Sequence, residues 1–365
     1  MENNIWSKNY QEAKIKFSDA LQSLKSKGYP IYHEELNIKE LDPDGNNLYI
    51  DVVWIGNPNA EKLYMSTSGI HGVEGFAGSA IQLKVMEMCK LESENVAFAF
   101  IHVLNPWGMS WIRRENESNV DLNRNFLQSN EKYEGSHPHY KKLDPLINVK
   151  KVPSQSDCFN IKMIFHSLFY GKTRTKQAYA EGQYDFPKGL HFGGFQLEKG
   201  PNCFVNWLNK KLINVKKCIW IDLHTGLGES GEDCLLVDLA TNDERFIELK
   251  NQKFGNRIMS LDPKAGIAYK IRGGMQKGVE LRFPNIEWVS ITQEFGTLSS
   301  VNVIKSLRAE NSWTHYSNKH GKDILKHWSK KAVLEAFRPS DTKWEEKLIR
   351  RGSKLFRQTF EYLNK

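Results

Sequence analysis

Between Lys62 and Pro106 the chain reads strand, helix, strand, and that order restricts its fold more than any other stretch. "KLYMST" (62–67) and "VAFAFIHVLNP" (96–106) are apolar runs of buried-strand type, the second stopped by Pro106. From Gly75 to about Leu91 the apolar positions follow a helical pattern. Two buried strands joined by a helix need a crossover, so they lie parallel in a sheet that helices cover. "KKCIWIDLHTGLGESG", with a strand at 218–223, and "EWVSITQEFGT" repeat the buried-strand pattern downstream. The class this predicts is α/β.

The flanks are consistent with one domain over 1–320. Residues 5–28 place Trp6, Tyr10, Ala13, Phe17, Leu21 and Leu24 at helical spacing, and "IYHEEL" and "LYIDVVWIG" flank the turn-former "DPDGNN" as a hairpin. Helices are expected at 158–180, 242–259 and 300–316, and loops at 127–157 and 181–201. After Pro339 a helix restarts at Ser340 with Trp344, Leu348, Leu355 and Phe360 on one side, so 321–365 is expected to be a basic helical extension packed on the domain.

Composition excludes several classes. At 40% hydrophobic residues the chain is too apolar for disorder, and it lacks a run of eighteen apolar residues. The polar start "MENNIWSKNYQEAKIK" and five scattered cysteines without a C-x-x-C pair point to a cytoplasmic protein with reduced thiols. Net charge is +8, but Lys319 to Lys365 holds 13 lysines and arginines against 6 acids, so the excess is read as a solvated tail. Neither a nucleic-acid nor a membrane partner is expected, and the oligomeric state is open.

Three of these strands end in residues that carry chemistry: "SGIHGVEG" with His71 and Glu74, "DLHTG" with His224, and "TQEFGT" with Glu294. Each lies beside glycine, where loops and helix N-termini converge in open α/β sheets. Two histidines and a carboxylate make three protein ligands for a catalytic zinc, with a fourth position left for water, whose pKa falls toward about 7. The loop "NPWGMSWIRRENESNVDLNRNF" adds Arg113, Arg114, Asn123 and Arg124, and arginine forks suit carboxylates and developing oxyanions.

Together these motifs resemble the zinc carboxypeptidase superfamily, of carboxypeptidase A-like fold. They are most similar to an uncharacterised bacterial branch of it at "GIHGVEGFAGSAIQ", "RRENESNVDLNRNF", "GQYDFPKGLHFGG", "DLHTGLG" and "TQEFGT", over roughly residues 30–300. The resemblance implies a three-layer α/β/α fold with a mixed, mainly parallel, twisted central sheet. It implies one Zn2+ per chain on His71, Glu74 and His224, with Glu294 as the general base that moves a proton from water to the leaving amine. It further implies that Asn123 and Arg124 grip a substrate carboxylate and that Arg113 or Arg114 steadies the oxyanion. Tyr269 is a candidate to swing over the substrate, and His191 of "GLHFGG" a candidate pocket residue.

One departure bears on the substrate. Peptidases of this superfamily commonly carry arginine just before the zinc-binding glutamate, where this chain has Val73. The expected activity is therefore hydrolysis of an amide or peptide bond next to a carboxylate, on a small peptide, with an N-acyl amino acid deacylase as the alternative. A non-catalytic zinc or peptide-binding protein is the alternative of another class, and Glu294 counts against it. Among the other histidines, His137 and His139 form an H-x-H pair, and His102 reads as a core residue.

Overall fold

The computed structural model describes residues 5–91, 93–261 and 270–364. Its strands are β1 (Ile31–Leu41), β2 (Asn47–Ile55), β3 (Lys62–Ser68), β4 (Val96–His102), β5 (Lys217–Ser230), β6 (Asp233–Val237), β7 (Ile258–Ser260) and β8 (Glu287–Gly296). They form one sheet in the order β1-β2-β4-β3-β5-β8-β6-β7. The run β4-β3-β5-β8 is parallel, as is β6-β7, while β1, β2 and β6 pair antiparallel with their other neighbours. The sheet is thus mixed and mainly parallel, as expected.

The helices are α1 (Tyr10–Ser26), α2 (Gly75–Met88), α3 (Pro106–Ser110), α4 (Tyr140–Ile147), α5 (Phe159–Tyr170), α6 (Lys172–Ala180), α7 (Lys199–Lys211), α8 (Glu244–Leu249), α9 (Met275–Glu280), α10 (Ser300–Tyr316), α11 (Trp328–Phe337) and α12 (Thr342–Asn364). Alternation along the strands sends successive side chains to opposite layers. Tyr64, Phe98 and Phe100 share one core cluster with residues of α1, α2, α8 and α12. Leu63, Met65, Ala97 and Ala99 share a second with residues of α7 and α9. A third cluster joins α4, α5, α6, α10 and α11 to Val73.

The C-terminal helix is part of this packing. Trp344 is 2% exposed and its indole nitrogen donates to the Gly296 carbonyl at 2.8 Å, tying α12 to the end of β8. A buried tryptophan of this kind contributes about 3–5 kcal/mol against truncation. His102 is fully buried at the end of β4, stacked on Phe17 and 2.8 Å from the Ser79 hydroxyl.

Several expected elements differ. The stretch 127–157, expected as loop, contains α4 over Tyr140–Ile147, which buries Tyr140, Leu143 and Ile147 in the third cluster. The helix expected at 242–259 holds its α-helical form only over Glu244–Leu249, and Ile258–Ser260 becomes the edge strand β7, paired with β6. The segment at 158–180 is two helices, because Gly171 takes φ +91° between them.

Candidate metal centre

β3, β5 and β8 are consecutive parallel neighbours, and this adjacency assembles the cluster. β3 ends at Ser68, and the chain turns through His71 into α2. The turn is drawn tight against α3: a Cβ on Gly72 would lie 2.1 Å from the Gly108 carbonyl carbon, so only glycine fits. The Gly72 and Val73 amides donate to the Arg114 and Arg113 carbonyls at 3.1 and 2.8 Å, locking this turn to the arginine loop. His224 stands opposite Glu294 in the β5–β8 register.

The ligand atoms converge. His71 Nδ1 lies 2.9 Å from Glu74 Oε1, and His224 Nδ1 lies 3.1 Å from Glu74 Oε2. Each imidazole is held on its far side by a carboxylate, His71 Nε2 by Asp121 at 3.0 Å and His224 Nε2 by Asp222 at 2.7 Å. Among the described residues this is the one group of three or more metal-ligating side chains, and all three are buried. Two nitrogens and a carboxylate, with both histidines oriented by carboxylates, are a donor set that fits zinc.

Electrostatics follow from burial and charge. Burial opposes ionisation of Glu74, but His71 and His224 more than offset it and hold the carboxyl well below its usual range. Burial likewise opposes a charge on His224, and Asp222 and Glu74 reverse that, raising its pKa. Burial, aided by the Glu74 charge, pushes Glu294 up to about 8, against the pull of His224 and Arg114. The Leu227 amide donates to Glu294 Oε1 at 3.1 Å.

The two arginines have different surroundings. Arg114 donates to Glu74 Oε1 and Asp121 Oδ2, both at 3.1 Å, and so borders the cluster. Arg113 instead enters a separate buried network: its Nη2 donates to Asn119 and Asn311, its Nε lies 3.1 Å from Glu310, and Lys330 reaches Glu310 at 2.6 Å. The geometry therefore puts Arg114 beside the cluster and makes Arg113 a buried anchor between the loop and α10. Replacing Arg113 by alanine removes one of the two cations on buried Glu310 and the shared donor of Asn119 and Asn311, and the expected loss of folding stability is about 3–5 kcal/mol, read by chemical denaturation.

Other candidates are also located. Arg124 is buried and committed to backbone, with Nε and Nη2 donating to the Ala180 carbonyl and Nη1 to that of Asn123. Asn123 Oδ1 accepts from the Met275 amide. His191 donates through Nδ1 to Asp121 at 2.9 Å, since Asp121 is held ionised, while burial lowers the histidine to about 4. Val73 is fully buried in the third core cluster, so the position of a substrate-facing arginine is filled by packing. His139 meets His166 of α5, Nε2 to Nε2 at 3.0 Å. Tyr269 lies outside the described residues. A cavity of about 640 Å³ has Asn123, Asp222, Gln276, Glu280 and Thr292 in its lining; it touches the cluster through Asp222, which holds His224, and its lining includes none of His71, Glu74, His224 or Glu294.

Asp121 and Asp222 are the two residues that motif reading missed. Asp222 was available from local periodicity, because residues two apart on a strand share a face and D-x-H then puts carboxylate beside imidazole. Asp121 had the weaker signal of a lone acid in "NVDLNRN", and its contact with His71 spans 50 residues.

Sheet and cluster together define the class: an α/β protein with a candidate metal centre at the carboxyl ends of parallel strands. The chain belongs to the family described as "Protein of unknown function (DUF2817)", whose sequence model matches residues 6–351. No curated protein matches it in sequence. Solved structures similar to it include the carboxypeptidase A of Helicoverpa armigera, at 12% identity and TM-score 0.47, covering 95% of this chain and 73% of that one. A metallo-carboxypeptidase from Pseudomonas aeruginosa is similar at 10% identity and TM-score 0.41, covering 96% and 69%. A succinylglutamate desuccinylase from Silicibacter is similar at 15% identity and TM-score 0.39, covering 78% and 67%.

Proposed function

We propose that the protein is a zinc-dependent hydrolase that cleaves an amide bond next to a carboxylate. The observation that carries this reading is the convergence of His71, Glu74 and His224, each imidazole backed by a carboxylate, with Glu294 one strand away in register. When bound by these three residues, zinc supplies a Lewis acid that makes water a nucleophile near neutral pH and polarises a carbonyl.

The rest of the chemistry belongs to the chain's own groups. In its ionised form, which the charges of His224 and Arg114 favour against burial, Glu294 takes a proton from the attacking water and returns it to the departing amine, the two halves of general acid–base catalysis. Asp121 and Asp222 fix the imidazole orientations. Arg114 donates to Glu74, helps hold Asp121 ionised and adds a fixed positive charge for a developing oxyanion. With its carbonyl oxygen engaged by Met275, the Asn123 amide keeps its NH2 as a donor for a substrate carboxylate, in the field of Arg124.

A second reading, N-acyl amino acid deacylase, is favoured by one observation: the Arg124 donors are already spent on backbone, which removes the expected grip on a peptide C-terminus. Zinc-loaded protein assayed against peptides with free C-termini and against N-acyl amino acids separates the two by their kcat/KM. Turnover of neither class by protein that retains zinc would overturn the hydrolase reading and leave a binding protein.

A further inference from the structure

Helix α5 is inverted relative to an ordinary surface helix. Only Phe159 and Met163 are buried, whereas Ile161, Ile164, Phe165, Leu168 and Phe169 are 55–81% exposed. Five large apolar side chains on twelve residues form a contiguous apolar face, which a water-facing helix does not need. Phe165, Leu168 and Phe169 share a hollow with Lys142 and Lys162, and the Lys142 ammonium lies 5.3 Å from the Tyr170 ring centroid.

The chain that forms and flanks this face is strongly basic, with Lys142 and Lys162 at the hollow itself. From Lys141 to Lys176 there are eight lysines and arginines against two aspartates. Both acids are engaged, Asp157 by Lys162 and Arg308, and Asp144 by Asn148. The eight cations are exposed. A two-fold contact between copies would set this surface against itself, cation facing cation. Nucleic acid would meet the cations but leave the apolar side chains in water. An anionic bilayer satisfies both, with apolar side chains entering the acyl boundary and lysines and arginines meeting headgroups.

Contrary to the expectation from composition, we propose that α5 and its basic surround form a docking surface for an anionic lipid bilayer, the helix lying in the plane of the interface. No described helix is long and apolar enough to cross a membrane, so this is attachment and not insertion. The surface is connected to the candidate centre: α6 follows α5 across Gly171, and its Ala180 carbonyl holds Arg124.

The test is co-sedimentation of the full chain with vesicles of phosphatidylcholine alone and of phosphatidylcholine with phosphatidylglycerol. The native chain should bind the anionic vesicles, bind the neutral ones far less, and be released as salt shortens the Debye length. The double substitution Phe165→Glu, Phe169→Glu should weaken partitioning about 100-fold, about tenfold for each apolar side chain withdrawn. Lys142→Glu with Lys162→Glu should weaken it by about tenfold or more at low salt and less at high salt. All four side chains are exposed and the Lys162–Asp157 pair that the charge variant breaks is a surface pair, so thermal melting should move little and serves as the folding control. Absence of binding to anionic vesicles at low salt, equal binding to neutral ones, or a phenylalanine variant that binds like the native chain would each overturn the proposal. So would a native dimer that the phenylalanine variant dissociates, since the face would then belong to a second copy.

Discussion

Glu294→Gln is expected to lower kcat by about 10³-fold or more while zinc stays at one per chain, the range for loss of a positioned general base. Glutamine preserves the shape and keeps an oxygen for the Leu227 amide, so β8 and the neighbouring turn should not move. What it removes is the only capacity the reaction needs there, that of taking up and releasing a proton. Glu294 is not one of the three residues whose ligand atoms converge, and this separates its loss from loss of metal. The checks are steady-state kinetics on the best substrate of the panel and elemental analysis of the same sample. Retained turnover would mean that another group is the base.

The sheet was legible because buried parallel strands leave a simple trace. The runs at 62–67 and 96–106 became β3 and β4 in parallel register, and the helix expected at 300–316 is α10 with the same bounds. His224 was less legible. It reads as the residue after a strand at 218–223, yet β5 continues to Ser230. Glycine at 226, with φ +119°, lets the strand deform and shift register against β8 where glycine in a sequence reads as a stop.

Long-range packing hid more. Val73 looked like a substituted site residue, but its surroundings come from α4, α10 and α11, 67 or more positions downstream. The apolar surface of α5 was hidden for two reasons. "FNIKMIFHSLFY" is apolar on nearly every side, so no period says which side is buried. Its basic surround is masked in any count over the whole chain before the tail, because acids elsewhere balance it.

Removal of either histidine should act on metal before it acts on chemistry. His71→Ala or His224→Ala leaves two protein ligands where a catalytic zinc takes three, and the expected zinc content falls from about one per chain to near zero after dialysis. The carboxylates behind them provide a graded form of the same experiment. Asp121→Asn and Asp222→Asn keep the shape but remove the charge that orients each imidazole with Nδ1 toward Glu74, and each should weaken zinc affinity by about 10–100-fold. Asp121→Asn should also perturb Arg114 and His191, which share that carboxylate, whereas the Thr67 hydroxyl is the other side-chain partner of Asp222. Asp222→Asn is therefore the cleaner test, with competition against a chelator as the readout and thermal melting of the metal-free protein as the control. An unchanged zinc affinity in Asp222→Asn together with full zinc content in His224→Ala would remove β5 from the metal site.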